Sequence, residues 1–116
     1  MANVFKNAFH EVVSQTSSSP TVLLTCPSSN ASKCVVIGMH LTNTGSSQIT
    51  ADVILEDASQ SNQDITLLNA VPLPASSVLS VLVGEQIILE QGDKIKLVAS
   101  ANTCNGFASY LLTDNT

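Results

Sequence analysis

Cysteine, histidine and carboxylate are the side chains from which this sequence could build a nucleophile, a proton shuttle or a metal site. The cysteines are Cys26, Cys34 and Cys104, and the histidines are His10 and His40. Zinc needs a dense cluster of thiol and imidazole ligands, and separated thiols with distant histidines do not offer that spacing. Cys26 and Cys34 flank a PSSNASK loop, across which a disulfide is geometrically open to them. In a chain with no export signal, the expectation is free thiols behaving as small hydrophobes.

His10 and His40 could work with Glu11 or Glu56 only if their strands were neighbours. Both fall on the face of their strand opposite the expected core, so solvated or interface imidazoles are expected. No Ser-His-Asp or Cys-His combination carries a local signature, and serine is too abundant for proximity to mean much. Asp57 and Asp64 bracket a polar loop, while Asp93 sits in a QGD turn where its carboxylate can accept nearby backbone amides. No group of acidic residues has the tight spacing of a calcium loop. The sequon Asn30-Ala31-Ser32 matters only in a secretory route, and is read as chance. The residues therefore assign no catalytic, cofactor-binding or metal position, and the chain is expected not to be an enzyme.

What must position these side chains is a set of short strands. Ile49, Ala51, Val53 and Leu55 point one way, with Thr50, Asp52 and Glu56 opposite. Ile95, Leu97 and Ala99 repeat the rhythm against Lys94, Lys96 and Ser100. This period of two is the mark of half-buried antiparallel strands. Strands are expected over Phe5–Val13, Thr21–Cys26, Lys33–Thr42, Gln48–Asp57, Asp64–Ala70, Ser77–Val83, Gln86–Glu90, Asp93–Ser100 and Gly106–Thr113. Lys33–Thr42 is expected to present Val35, Ile37, Met39 and Leu41 to one side. NTGSS reads as a hairpin turn with Gly45 available for a positive φ, returning Gln48–Asp57 antiparallel. Pro72 and Pro74 exclude a central strand and mark an edge or a crossing between sheets. The expectation is one domain spanning residues 1–116, an all-β antiparallel two-sheet sandwich of about eight strands, jelly-roll or Ig-like Greek key.

Composition narrows the function further. A chain of 116 residues can bury roughly two-thirds of its unfolded surface and fold unaided. Net charge is −5, carried against four lysines and no arginine, with only 3% aromatic residues. Phosphate-gripping arginines and stacking platforms are what nucleic-acid readers use, so direct nucleic-acid binding is not expected. No stretch approaches the roughly 18 apolar residues of a membrane helix. The opening MANVFKNAFHEVV lacks a signal-peptide core, and soluble cytosolic synthesis is the expectation. Charged residues make up only 11%, so the surface repels its own kind weakly and suits dense packing beside neighbours.

Several strands are apolar on both faces. Val78 and Leu82 oppose Leu79, Val81 and Val83, and Phe107 and Leu111 oppose Ala108, Tyr110 and Leu112. Ile65 and Leu67 are likewise matched by Leu68 and Ala70. A two-layer sandwich has one interior, so some of these side chains must emerge outside, where contiguous apolar area marks a contact surface. The expected contact residues are Phe5, Phe9, Leu79, Val81, Tyr110 and Leu112.

The succession VPLPASSVLSVL, IILEQGDKIKLVASA and GFASYLL, preceded by VVIGMHLTNTG and ITADVILEDAS, resembles the small β-sandwich virion structural proteins of tailed bacteriophages. The likeness spans nearly the whole chain and rests on strand-and-turn rhythm. It implies a non-enzymatic capsid decoration or cement protein, assembled in the host cytoplasm into the virion, or else a neck, tail or fibre component. It also implies trimers or dimers that bind other virion proteins such as the major capsid protein. A secreted pilus-like adhesive subunit is the alternative, and would favour a Cys26–Cys34 disulfide. A carbohydrate-binding sandwich would need exposed aromatic platforms that this composition does not promise.

Overall fold

A computed structural model describes residues 2–10, 15, 20–27, 32–58, 61, 63–81 and 86–114. Glu11, Val13, Asn30, Ala31, Leu82 and Val83, with the side chain of His10, lie outside the described residues. The strands are β1 (Ala2–His10), β2 (Thr21–Thr25), β3 (Lys33–Asn43), β4 (Ile49–Asp57), β5 (Gln63–Leu73), β6 (Ser77–Ser80), β7 (Ile87–Leu89), β8 (Lys94–Ala99) and β9 (Cys104–Asp114).

They form a β-sandwich of two antiparallel sheets. One is five-stranded in the order β1-β9-β3-β6, with β7 also on β3; the other is four-stranded in the order β2-β8-β4-β5. β6 and β7 pair with opposite ends of β3, as two halves of one interrupted strand. Counted so, the order is that of an eight-stranded jelly roll, which decides between the two topologies expected.

In this order the chain changes sheet at nearly every connection, and β4–β5 is the hairpin. NTGSS is therefore not a hairpin turn, since β3 and β4 lie in different sheets. Gly45 is not among the residues of positive φ either. Its place is set by close approach, because a Cβ there would meet the Thr103 side chain at 2.9 Å. Gly92, in the QGD turn, is the glycine that takes a left-handed φ of 83°. Pro72 falls within β5, at the edge of the four-stranded sheet, where a missing N–H is tolerated.

The core lies between the sheets. Val36, Met39, Leu41, Leu89 and Ala108 come from one side, and Leu23, Ile49, Ala51, Val53, Leu73, Ile95 and Leu97 from the other. Burying each large aliphatic side chain contributes about 2–3 kcal/mol. Gly106 leaves room for Leu97, whose Cδ1 occupies the space a Cβ at 106 would need.

β3 does not present Val35, Ile37, Met39 and Leu41 to one side. Its register shifts between Val36 and Gly38. Cys34 and Val36 point inward before the shift, and Met39, Leu41 and Asn43 point inward after it. The bulge spends one extra residue, so Ile37 is turned out and the inward parity resets.

Each end of the sandwich is closed by a buried polar residue. Asn43 is fully buried and its carbonyl oxygen accepts the Gly45 N–H and the Thr103 hydroxyl, both at 2.9 Å. Its amide donates to the carbonyls of Ser47 at 2.8 Å and Leu73 at 3.1 Å, with that of Pro74 at 3.2 Å. At the far end Asp93 accepts the Ala58 and Glu90 amides at 2.9 and 3.0 Å. Every lone pair and proton engaged this way satisfies a loop that would otherwise bury unpaired backbone.

Candidate assembly surface

The residues that face away from the core differ sharply between the sheets. Directly paired residues of an antiparallel ladder project from the same face. On the outer face of the five-stranded sheet, Phe5 pairs with Leu111, Leu111 with Val35, and Val35 with Ile88. A parallel row runs from Phe9 through Phe107 to His40. The His40 and Phe107 rings stack with centroids 6.3 Å apart. Val78 and Ile37 add to the same face. Phe5 is 75% exposed, Phe9 68%, Ile88 62% and Val78 61%, so most of each residue's surface is left uncovered by the chain. A shallow hollow of about 220 Å³ lies among Phe5, Asn7, Ile37, Phe107 and Ser109.

The chain has three phenylalanines, and all of them stand on this face. The inner face of the same sheet is instead filled by Cys34, Val36, Met39, Leu41, Cys104 and Ala108. Large aromatic side chains thus stand outward together, above a core of aliphatics, which makes this face the candidate contact surface.

The outer face of the four-stranded sheet carries charge. Lys96 Nζ donates to Glu56 Oε1 at 3.0 Å and Asp64 Oδ1 at 2.9 Å, and Lys94 stands 3.8 Å from the other Glu56 oxygen. Burial alone lowers the Lys96 pKa, but the hydrogen bonds and charges of Asp64 and Glu56 outweigh it and hold the ammonium above its ordinary value. Thr50, Asp52, Ile54 and Thr66 share this face by register, as do the apolar Val22, Val98 and Pro72.

Of the six contact residues expected from sequence, Phe5 and Phe9 stand on the apolar outer face. Leu79, Val81, Tyr110 and Leu112 turn inward and pack, half-buried, against the core. The six therefore do not lie on one surface. Where both faces of a strand are apolar, alternation separates two sets without saying which is inside. Phe107, Ile37, Val78 and Ile88 were missed for that reason. The small residues Gly106 and Ala108 flanking Phe107 were the available sign, since a thin inner face fits where the opposite sheet approaches closely.

His40 is exposed, and its ring partner is Phe107 rather than a carboxylate. Among the described residues, no three of His, Cys, Asp and Glu are grouped to hold a metal ion, and no helix is long and apolar enough to cross a membrane. The cysteines are unbridged and buried, and desolvation pushes each thiol above its ordinary value, Cys34 to about 12.

No protein-family model matches the sequence, and no curated protein matches it. Solved structures share the fold at low identity. A subunit of the Bacillus endospore appendages, which are disulfide-linked pili, superposes with a TM-score of 0.56 at 9% identity, over 98% of this chain and 89% of that one. A chain of the Helicobacter pylori bacteriophage KHP30 capsid gives 0.53 at 10% identity, over 100% and 90%. A chain of the infectious bursal disease virus particle gives 0.54 at 9%, over 97% of this chain but only 33% of its own length. The jelly roll seen here is thus a fold used by capsid and pilus subunits.

Proposed function

We propose that this chain is a non-enzymatic structural subunit of a tailed-bacteriophage virion, a capsid decoration or cement protein that stabilises the head by binding its neighbours. The observation that carries the reading is the outward placement of Phe5, Phe9 and Phe107 on one sheet face, in two apolar rows with the Asn7–Ser109 pair between them. The near end-to-end likeness in fold to a phage capsid chain supports it. The partners are further copies of the chain, as a trimer or dimer, and other virion proteins such as the major capsid protein. Nucleic acid is not contacted directly.

The mechanism is thermodynamic. An interface of about 1,000–2,000 Å² repeated at every copy stabilises the assembled particle by mass action. The contact residues are Phe5 and Phe9 joined by Phe107, Ile37, Val78 and Ile88; Leu79, Val81, Tyr110 and Leu112 contribute only through their half-exposed edges. Neck, tail or fibre placement would use the same surface. A secreted pilus-like subunit is a second reading, favoured by the end-to-end likeness to the endospore appendage subunit and by the closeness of Cys26 to Cys34.

Sedimentation of the purified chain tests the proposal. Oligomers that dissociate when the three phenylalanines are replaced by serine support it. A monomer at high concentration that also fails to bind phage heads would sink it.

A further inference from the structure

Cys26 directly follows β2 in the four-stranded sheet, and Cys34 is the second residue of β3 in the five-stranded sheet. They therefore meet across the sandwich, at the end where the chain passes from one sheet to the other. Both are fully buried. Cys34 pairs directly with Leu89 in the β3–β7 ladder. Cys26 Sγ lies 3.5 Å from the carbonyl oxygen of that same Leu89 and 3.7 Å from that of Ser32. Each thiol is close enough to influence the other's ionisation. The backbone of Cys26 is held on both sides, its N–H donating to Asp93 at 2.9 Å and its carbonyl accepting from Gly92 at 3.0 Å. Cys104 is buried at the opposite end, opposite Asn43 in the β3–β9 ladder.

We infer that Cys26 and Cys34 are a latent disulfide pair, which under oxidising conditions joins the two sheets through one intramolecular bond. The oxidant is a small disulfide such as oxidised glutathione. The thiolate of one cysteine attacks a glutathione sulfur, and the first glutathione leaves and takes up the proton the attacker lost. The second cysteine, deprotonated in turn, attacks the protein-side sulfur of the mixed disulfide and expels the second glutathione. Two protein thiols are oxidised and one glutathione disulfide is reduced to two thiols.

Access decides when this happens. In the folded reduced chain both sulfurs are shielded and burial keeps them protonated, so exchange there is slow. During folding the thiols are still reachable, and residues 27–33 separate them by a short loop that closes readily. The bridge is internal to one chain, so its test is independent of whether the apolar face binds partners.

The experiment is to refold the full chain in a glutathione redox buffer and take its intact mass and peptide map without reduction. The expected product is lighter by about 2 Da, contains a Cys26–Cys34 linked peptide, and melts about 10 °C above the reduced chain. Cys104→Ser should leave both results unchanged, and Cys26→Ser should abolish them. Recovery as free thiols, as glutathione adducts or as bonds involving Cys104 would overturn the inference. So would a bridged protein that melts no higher than the reduced one, a comparison that needs no variant to fold.

Discussion

The outer faces of the two sheets solve the same problem in opposite ways. Each belongs to a sheet whose inner face is committed to the core, so each must meet either water or a neighbour. The four-stranded sheet carries its charges on this face, with Lys96 held between Glu56 and Asp64 and flanked along the ladder by Val22 and Ile54. The five-stranded sheet presents phenylalanine, valine and isoleucine on the face that the core does not use. A fold with only solubility to satisfy would treat both faces alike. The asymmetry is what the proposed assembly role rests on: one outer face is held by ion pairs within the molecule, and the other leaves Phe5 and Phe9 mostly uncovered by the chain.

The largest expected effect breaks the comparison outright. Changing Phe5, Phe9 and Phe107 together to serine should weaken self-association at least 100-fold, equivalent to about 3 kcal/mol, in sedimentation equilibrium. The monomer's melting temperature should fall only modestly, and through Phe107, which is 38% exposed and stacks on His40, since Phe5 and Phe9 are mostly exposed. A loss of fold instead would show that the rings stabilise the monomer.

The next sharpens the opposite face. Lys96→Met takes the cation from between Glu56 and Asp64, leaving Glu56 with Lys94 alone, and should cost about 2 kcal/mol in urea unfolding while association is unchanged. Asp64 is half-exposed, which keeps the cost below that of a fully buried pair.

Alkaline pH should destabilise the reduced protein from near pH 9. The unfolded Cys34 thiol ionises around 9.0, whereas the folded one keeps its proton to about 12 because burial disfavours the thiolate. Above pH 9 the unfolded state has therefore released a proton that the native state retains, and stability falls by up to about 1.4 kcal/mol per pH unit. Lys96 acts in the same direction: its raised pKa stabilises the fold below the ordinary lysine value of 10.5 and is lost as pH climbs past it. Thermal melts from pH 8 to 11 should show the decline, and Cys34→Ser should make it shallower without removing it, because burial raises the Cys26 and Cys104 thiols too.

The smallest effect lies at the margin of the apolar face. Val78→Thr and Ile88→Thr should each lower association by well under tenfold, less than about 1 kcal/mol, with no change in the melt.

How much of this was legible depended on whether a strand had one apolar face or two. On β4 and β8 the sequence pattern was sufficient. Ile49, Ala51, Val53, Ile95, Leu97 and Ala99 are buried as expected, because polar residues opposite them leave one orientation that avoids stranding charge in the core. On β3 and β9 apolar residues occupy both faces, and the alternation had no preferred sign. The bulge at Ile37 then reversed the parity of half of β3, which local propensity does not reveal. NTGSS misled differently: its composition specifies a turn, but a turn between sheets and a turn within one use the same residues.

The sequence by itself determined the strand count, the turns, the acidic and arginine-free surface, and the excess of apolar area over what one interior can hide. Those follow from side-chain chemistry and a period of two, both local properties. Tertiary structure alone decided the jelly-roll order, which of two apolar faces looks outward, and the meeting of Cys26 with Cys34 across the sheets. These depend on contacts between residues distant in the chain, where packing of one sheet on the other, rather than any local preference, selects among arrangements that the strands would accept equally well.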